Sequence, residues 1–214
     1  MTAGPPRLHV VVGPGGVGPW HDVVATVAAL VGLDPVVEPL PARANGEDWA
    51  QRVLAAAAGM DGAVLVLPHA VPDTETGTTV RRVLVPFDRS EAELTVLRPL
   101  IGRALEQELA VQQVHVLSDQ SRPAMWEGAG HHAQVWHNEL RRSYQVGLAN
   151  LRVRSGRPGT VLRSLAADAD LIVACWNGQA TATRAEVLRE ILSGAPPPLL
   201  LIRAPSSHSG AGRG

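Results

Sequence analysis

At 214 residues, 45% apolar and with a formal net charge of −1, the chain has enough apolar content to pack one large domain or two small ones. That charge gives no electrostatic case for nucleic acid or a membrane surface, and no run approaches the roughly 18 apolar residues that a bilayer-spanning helix needs. The single cysteine, Cys175, excludes an internal disulfide and fits a reducing cytosol.

The amino terminus, MTAGPPRLHV, lacks the charged region, apolar stretch and cleavage site of a signal peptide, so a cytoplasmic location is expected. All 19 basic residues are arginine, a usage that suggests a GC-rich bacterial genome.

Leu8–Val12 reads as a strand and empties into the glycine loop Gly13–Gly18. That loop fits the glycine part of a phosphate-binding G-x-x-x-x-G-K-[ST] motif. Pro19 stands where the lysine belongs, and Trp20 where the magnesium-ligating hydroxyl belongs. No lysine occurs elsewhere to substitute, so the loop reads as a strand-to-helix turn with Pro19 as helix starter. A helix over Trp20–Val31, a strand Val36–Leu40, a helix Asp48–Ala58 and a strand Ala63–Leu67 follow. The stretch 68–79, rich in Pro, Thr, Asp and Gly, marks a boundary.

The second segment is more regular. Strand Arg82–Phe87 leads to Asp88 and to Ser90, an N-cap that Glu93 completes as a capping box. The helix runs to about Leu109, with Leu94, Leu97, Ile101 and Leu105 on one face. Strand Val111–Leu117, a loop, a helix over His132–Val146 and strand Leu151–Val153 come next. Then follow helix Thr160–Ala167, the continuously apolar strand Asp170–Cys175, helix Arg184–Leu192 and strand Leu199–Ile202. Short β-branched runs alternating with helical patterns predict an α/β fold, an open, mostly parallel sheet with helices on both faces. The division expected is an abbreviated α/β segment with linker over 1–79, a larger domain over 80–204 and a disordered tail over 205–214. VLAAAAGMDGAVLVL (Val53–Leu67) echoes VLRSLAADADLIVAC (Val161–Cys175), which suggests two related halves with the first shortened.

RRVLVPFDRSEAELTVLRPLIGRAL, GRPGTVLRSLA and DADLIVACWNGQATATRAEVLREILSGAPPPLLLIR, within Val80–Ala204, resemble the universal stress protein family. The middle stretch, WEGAGHHAQVWHNELRRSY, looks like a divergent actinobacterial branch of it. The resemblance implies a crevice at the carboxyl ends of the strands, where many members bind ATP. It puts the nucleoside-holding aspartate at Asp88. The family's phosphate loop, G-x2-G-x9-G-[ST], falls on Cys175, Gly178, Leu188 and Arg189, so one glycine survives and the hydroxyl residue is absent. Side chains at Cys175 and Leu188 would stand where main-chain amides approach phosphate, with Trp176 packed over the cleft. The expected cofactor is therefore none, ATP included. Arg184 and Arg189, near the start of the last helix, could hold a different anion. They could equally pair with Glu186 or Glu190. The residues of this reduced nucleotide cleft are thus Asp88, Gly178, Arg184 and Arg189.

Other chemistry is thinly represented. His131, His132 and His137 lack the spacing of a zinc site, and no metal is expected. No nucleophile elbow occurs, and Cys175 ends a buried strand as an inert thiol. Trp20, Trp126 and Trp176 follow strand ends and could line one surface or plug the sheet.

Two functions fit. The first is a non-enzymatic, cytosolic stress-response or regulatory module with an unidentified protein partner. It would carry a reduced or lost ATP site and no affinity for nucleic acid or membrane. The resemblance implies a homodimer through the last strand for it, an edge that the first half could instead cover from within the chain. The second is a small-molecule-binding or transferase enzyme using the crevice near Asp88 and Gly178 or the Gly13–Gly18 loop. It predicts an open, polar crevice containing a group of shifted pKa.

Overall fold

The computed structural model describes residues 6–12, 17–40, 48–68, 79–87, 91–118, 151–176, 183–193 and 197–203. Eight strands form one sheet: β1 (Arg7–Val12), β2 (Pro35–Pro39), β3 (Gly62–Val66), β4 (Arg82–Pro86), β5 (Ala110–Leu117), β6 (Leu151–Ser155), β7 (Leu171–Trp176) and β8 (Leu199–Arg203). The described helices are α1 (His21–Val31), α2 (Trp49–Ala58), α3 (Glu91–Glu106), α4 (Pro158–Ala166) and α5 (Thr183–Leu192), with a 3-10 turn at Gly18–Trp20 before α1. The helix expected over 132–146 lies outside the described residues, as do Asp88, Ser90, Trp126, Gly178 and the tail from 205.

The helices form where the apolar spacing demands one buried stripe. Val23, Val24, Val27 and Leu30 bury on α1, and Ala50, Val53, Leu54 and Ala57 on α2. On α3, Leu94, Leu97, Leu100, Ile101 and Ala104 bury, while Leu105, expected on that face, is 50% exposed in the last turn. α3 stops three residues short of the expected Leu109 because Glu108 takes a left-handed conformation, φ 59°. Its N–H reaches the Leu105 carbonyl and that of Leu109 the Ala104 carbonyl, a Schellman stop built without glycine.

The strand order is β2-β1-β3-β8-β7-β4-β5-β6. Every pairing is parallel except β3 with β8, which runs antiparallel from Ala63↔Ile202 to Val66↔Leu199. β8 therefore has hydrogen-bonded neighbours on both sides. The edge that a dimer through the last strand would need is occupied by β3 of the same chain. All six residues of β7 are buried, as a strand covered on both faces requires. The outer strand β2 carries Pro35 and Pro39 at its ends, which limits further edge pairing.

Two apolar layers flank the sheet. α1 and α3 cover one face over Leu8, Val10, Leu65, Val83, Val85, Leu171 and Val173. α2, α4 and α5 cover the other over Val11, Val64, Leu84, Ile172, Leu199 and Leu201. The single antiparallel pairing has one further consequence. The carboxyl ends of β1–β3 lie along one rim of the sheet, and those of β4–β8 along the opposite rim. Trp20 follows β1 and Trp176 ends β7, strands that run oppositely, and the two rings bury in opposite layers, so they do not line one surface. β1 ends on the rim opposite to the carboxyl ends of β4 and β7.

Candidate functional site: an apolar cleft between β4 and β7

The chain leaves β4 for β5 on one side, and β7 lies on the other, which makes the β4–β7 boundary the topological switch point. Open α/β sheets bind ligands outside the carboxyl ends of the strands at such points. Here the strands part. β4 pairs with β5 as far as Pro86↔Val114, and β7 with β8 as far as Trp176↔Arg203. β4 and β7 share only Val83↔Leu171 and Leu84↔Ile172. Pro86 brings no N–H with which to extend that ladder.

A cleft of about 250 Å³ opens there, walled by Phe87, Val114, Leu162, Val187, Leu188 and Ile191. Larger hollows of about 660 and 900 Å³ lie at the amino ends of β4 and β5, the rim away from the switch point. The cleft is mostly carbon, with Glu93, His115, Cys175 and Arg184 set into its wall. α3 places Glu93 on its buried stripe, one turn before Leu97, and the residue is 2% exposed. α5 places Arg184 one residue inside its amino end. Nη1 of Arg184 lies 3.5 Å from Oε1 of Glu93 and donates to the Cys175 carbonyl at 3.1 Å. His115 Nδ1–H donates to the Phe87 carbonyl at 2.7 Å, which fixes its ring at the end of β4.

Burial governs the ionisation of this cluster. It pushes the Glu93 carboxyl up to about 8, even beside a guanidinium. It lowers Arg184 below the usual arginine range. It also raises the Cys175 thiol, with the Glu93 charge adding to the effect. The thiol is 1% exposed and so is held protonated and inert.

Cys175 and Leu188 do stand in the cleft wall, and Arg184 is its cation. Arg189 is not in that wall, although it is one turn further along the same helix. Trp176 is not there either. Its ring is buried in the apolar layer under α2, α4 and α5. The Trp176 Nε1–H has no hydrogen-bond partner among the described residues. Asp88, Gly178 and the histidines at 131, 132 and 137 lie outside the described residues. Glu186 and Glu190 were the alternative partners for the arginines. Glu190 instead holds Arg157 at 3.2 Å and accepts from Thr160 Oγ1 at 2.8 Å, which ties α5 to the start of α4. No described group of three or more His, Cys, Asp or Glu could hold a metal ion.

Two site residues escaped the sequence reading. Glu93 was explained as a helix cap, yet it falls on the 93-97-100-104 stripe of α3, an acid on a buried face. His115 shares the buried parity of β5 with Val111, Gln113 and Leu117. Polar residues in those phases are the signal that could have found them.

No family model matches the chain, and no curated protein matches it. Among solved structures, a universal stress protein from Archaeoglobus fulgidus is similar at 16% identity and a TM-score of 0.48, over 73% of this chain and 54% of that one. A putative universal stress protein from Pseudomonas aeruginosa UCBPP-PA14 is similar at 12% identity and 0.48, over 92% of this chain and 82% of that one. A functionally unknown protein from Pseudomonas aeruginosa PAO1 gives the same figures. At these identities and TM-scores the likenesses carry nothing about ligand, activity or assembly.

Proposed function

We propose that the chain is a universal-stress-protein-like module that works in the cytosol by binding rather than catalysis, with its ATP site reduced or lost. The reading rests on the sequence resemblance of Val80–Ala204 and on one observation: the switch-point cleft is small, apolar and already internally paired. Drug-sized ligands occupy pockets of about 300–1,000 Å³, whereas this cleft offers about 250 Å³. Cys175 and Leu188 place carbon and sulfur where a phosphate loop needs bare backbone. The Arg184 guanidinium is turned to Glu93 and a carbonyl. No described helix is long and apolar enough to cross a membrane, which accords with the proposed location.

Titration calorimetry with ATP tests this. Heats indistinguishable from dilution up to about 1 mM are expected, whereas a dissociation constant of about 1–10 μM overturns the reading.

One observation favours the enzymatic alternative, the raised Glu93 carboxyl inside the cleft. Its burial in carbon explains that shift, and the open polar crevice that the alternative requires is not what the walls provide.

A further inference from the structure

Four neighbouring strands, β2, β1, β3 and β8, are crossed by one chain of polar contacts. Nδ1 of His9 on β1 faces Oε1 of Glu38 on β2 at 2.5 Å. Nε2 of the same ring faces the backbone carbonyl of Asp61, the residue before β3, at 3.0 Å. The Asp61 carboxylate accepts from Nη1 of Arg203 on β8 at 3.2 Å, and Nη2 of Arg203 donates to the Ala58 carbonyl at 3.0 Å. With an imidazolium at His9 the charges along this chain alternate, acid, base, acid, base.

The protons on the ring can be counted from its neighbours. A backbone carbonyl only accepts, so Nε2 must carry hydrogen. The contact between Nδ1 and Glu38 then needs a second proton. Imidazole is a stronger base than a carboxylate, so that proton sits on the ring. A neutral imidazole has one N–H for these two acceptors, and one of the two contacts must fail.

We infer that His9 is a proton-operated strap. With its second proton it ties β2 to the start of β3 and, through Asp61, to β8. Without it the strap parts between His9 and Asp61. It parts there because a neutral ring keeps its one hydrogen on the carboxylate, the stronger acceptor. Nε2 then turns a lone pair toward the Asp61 carbonyl, which goes to water. The segment released is the turn from α2 into β3, residues 59–61. That turn is pressed against β1: Gly62 has φ 107°, and a Cβ there would stand 2.5 Å from the Arg7 carbonyl oxygen. The charged groups around His9 are Glu38 of β2, Asp34 ahead of it, Asp61 of the turn, Arg203 of β8, Arg7 of its own strand and Arg52 of α2. Arginine stays protonated and a carboxylate only accepts, so the proton that changes hands belongs to the His9–Glu38 pair.

The test is NMR of the full chain from about pH 5 to 9, which spans the range where imidazoles change charge. Ring ¹⁵N signals give the protonation and tautomer of His9. Exchange of the amides of Met60, bonded to Ala57, and Ala63, in register with Leu8, reports on the turn when taken relative to intrinsic rates. Both ring nitrogens should be protonated at the acid end, with the Nδ1–H tautomer at the alkaline end. Protection of the two amides should fall about threefold to tenfold with the midpoint of the ring. Glu38→Gln separates this from a general loosening. Its side-chain N–H can donate to Nδ1 of a neutral ring while Nε2–H stays on Asp61, so the turn should be protected at every pH. His9→Phe should leave the turn open at every pH. Should His9→Phe fail to fold, the wild-type and Glu38→Gln titrations decide the matter alone.

A ring that keeps one protonation state throughout, or one that titrates with no change at Met60 and Ala63, overturns the inference. So does a neutral ring in the Nε2–H tautomer, or a Glu38→Gln protein whose turn still opens at alkaline pH.

Discussion

Arg184 meets Glu93 at 3.5 Å across the gap where β4 and β7 part, which joins the last helix to the helix that follows β4. The burial of Glu93 makes stability depend on pH. The Glu93 carboxyl titrates near 4.5 when unfolded and near 8 when folded. Below the first value both states hold the proton. Between the two values only the folded state does, so stability falls as pH rises through that window and levels off above it. The total is a few kcal/mol at most, on the order of 1.4 kcal/mol per pH unit. Glu93→Gln should flatten this slope, read as melting temperature from acid to mildly alkaline pH. Parallel curves for the two proteins would contradict it.

At the other end of β7, Asp170 Oδ2 accepts the backbone N–H groups of Arg81 at 3.0 Å and Arg82 at 2.8 Å. The same carboxylate reaches the Arg82 side chain at 3.3 Å. It supplies acceptors to a strand that otherwise shares only two register pairs with β7. Asp170→Ala should cost about 1–3 kcal/mol in urea unfolding, most of it from the amides left without an acceptor. A loss within experimental error would show that water replaces the carboxylate.

Gly159 lets α4 and α5 approach closely. A Cβ there would meet the Glu190 carboxylate and stand 2.8 Å from its Cβ. Gly159→Ala should therefore destabilise by about 1–3 kcal/mol through overpacking, despite the better helix propensity of alanine. Adding Glu190→Ala should restore only part of that, because the Cβ contact remains. A double mutant whose loss is the simple sum of the two singles would refute the contact.

Leu200 is fully buried at the centre of the sheet, in register with Leu65 on one side and Val173 on the other. Leu200→Ala should cost about 2–5 kcal/mol. Because β8 connects the two strand groups, one cooperative unfolding transition should persist. Two separated transitions would mean that the groups unfold independently.

Cys175 is expected to be unreactive toward a disulfide reagent in the native protein and to react at once in denaturant. Burial withholds both access and the thiolate form. Rapid native labelling would place the thiol in an open site.

Much of this molecule is legible along the chain. The strand Arg82–Pro86, the helix Trp49–Ala58 and the strand Leu199–Arg203 fall within a residue or two of where their patterns put them. Period 2 and period 3.6 are local properties, written in neighbouring residues. The α3 terminus was misjudged because Glu108, not a glycine, takes the left-handed turn, and nothing in its identity announces that.

The cleft was half legible. Cys175 and Leu188 came from aligning a motif and Arg184 from its place near the start of the last helix, whereas Glu93 and His115 matter only because two strands part beside them.

The sequence by itself determined the α/β alternation and the two buried layers. Only the tertiary structure decided that β8 inserts between β7 and β3, in opposite sense to the latter. That choice puts the two sets of strand ends on opposite rims, separates Trp20 from Trp176 and occupies the last strand's free edge. The reason is that strand order and direction follow from which apolar edge each half leaves uncovered. That condition involves residues as far apart as Val64 and Leu201, and no local pattern records it.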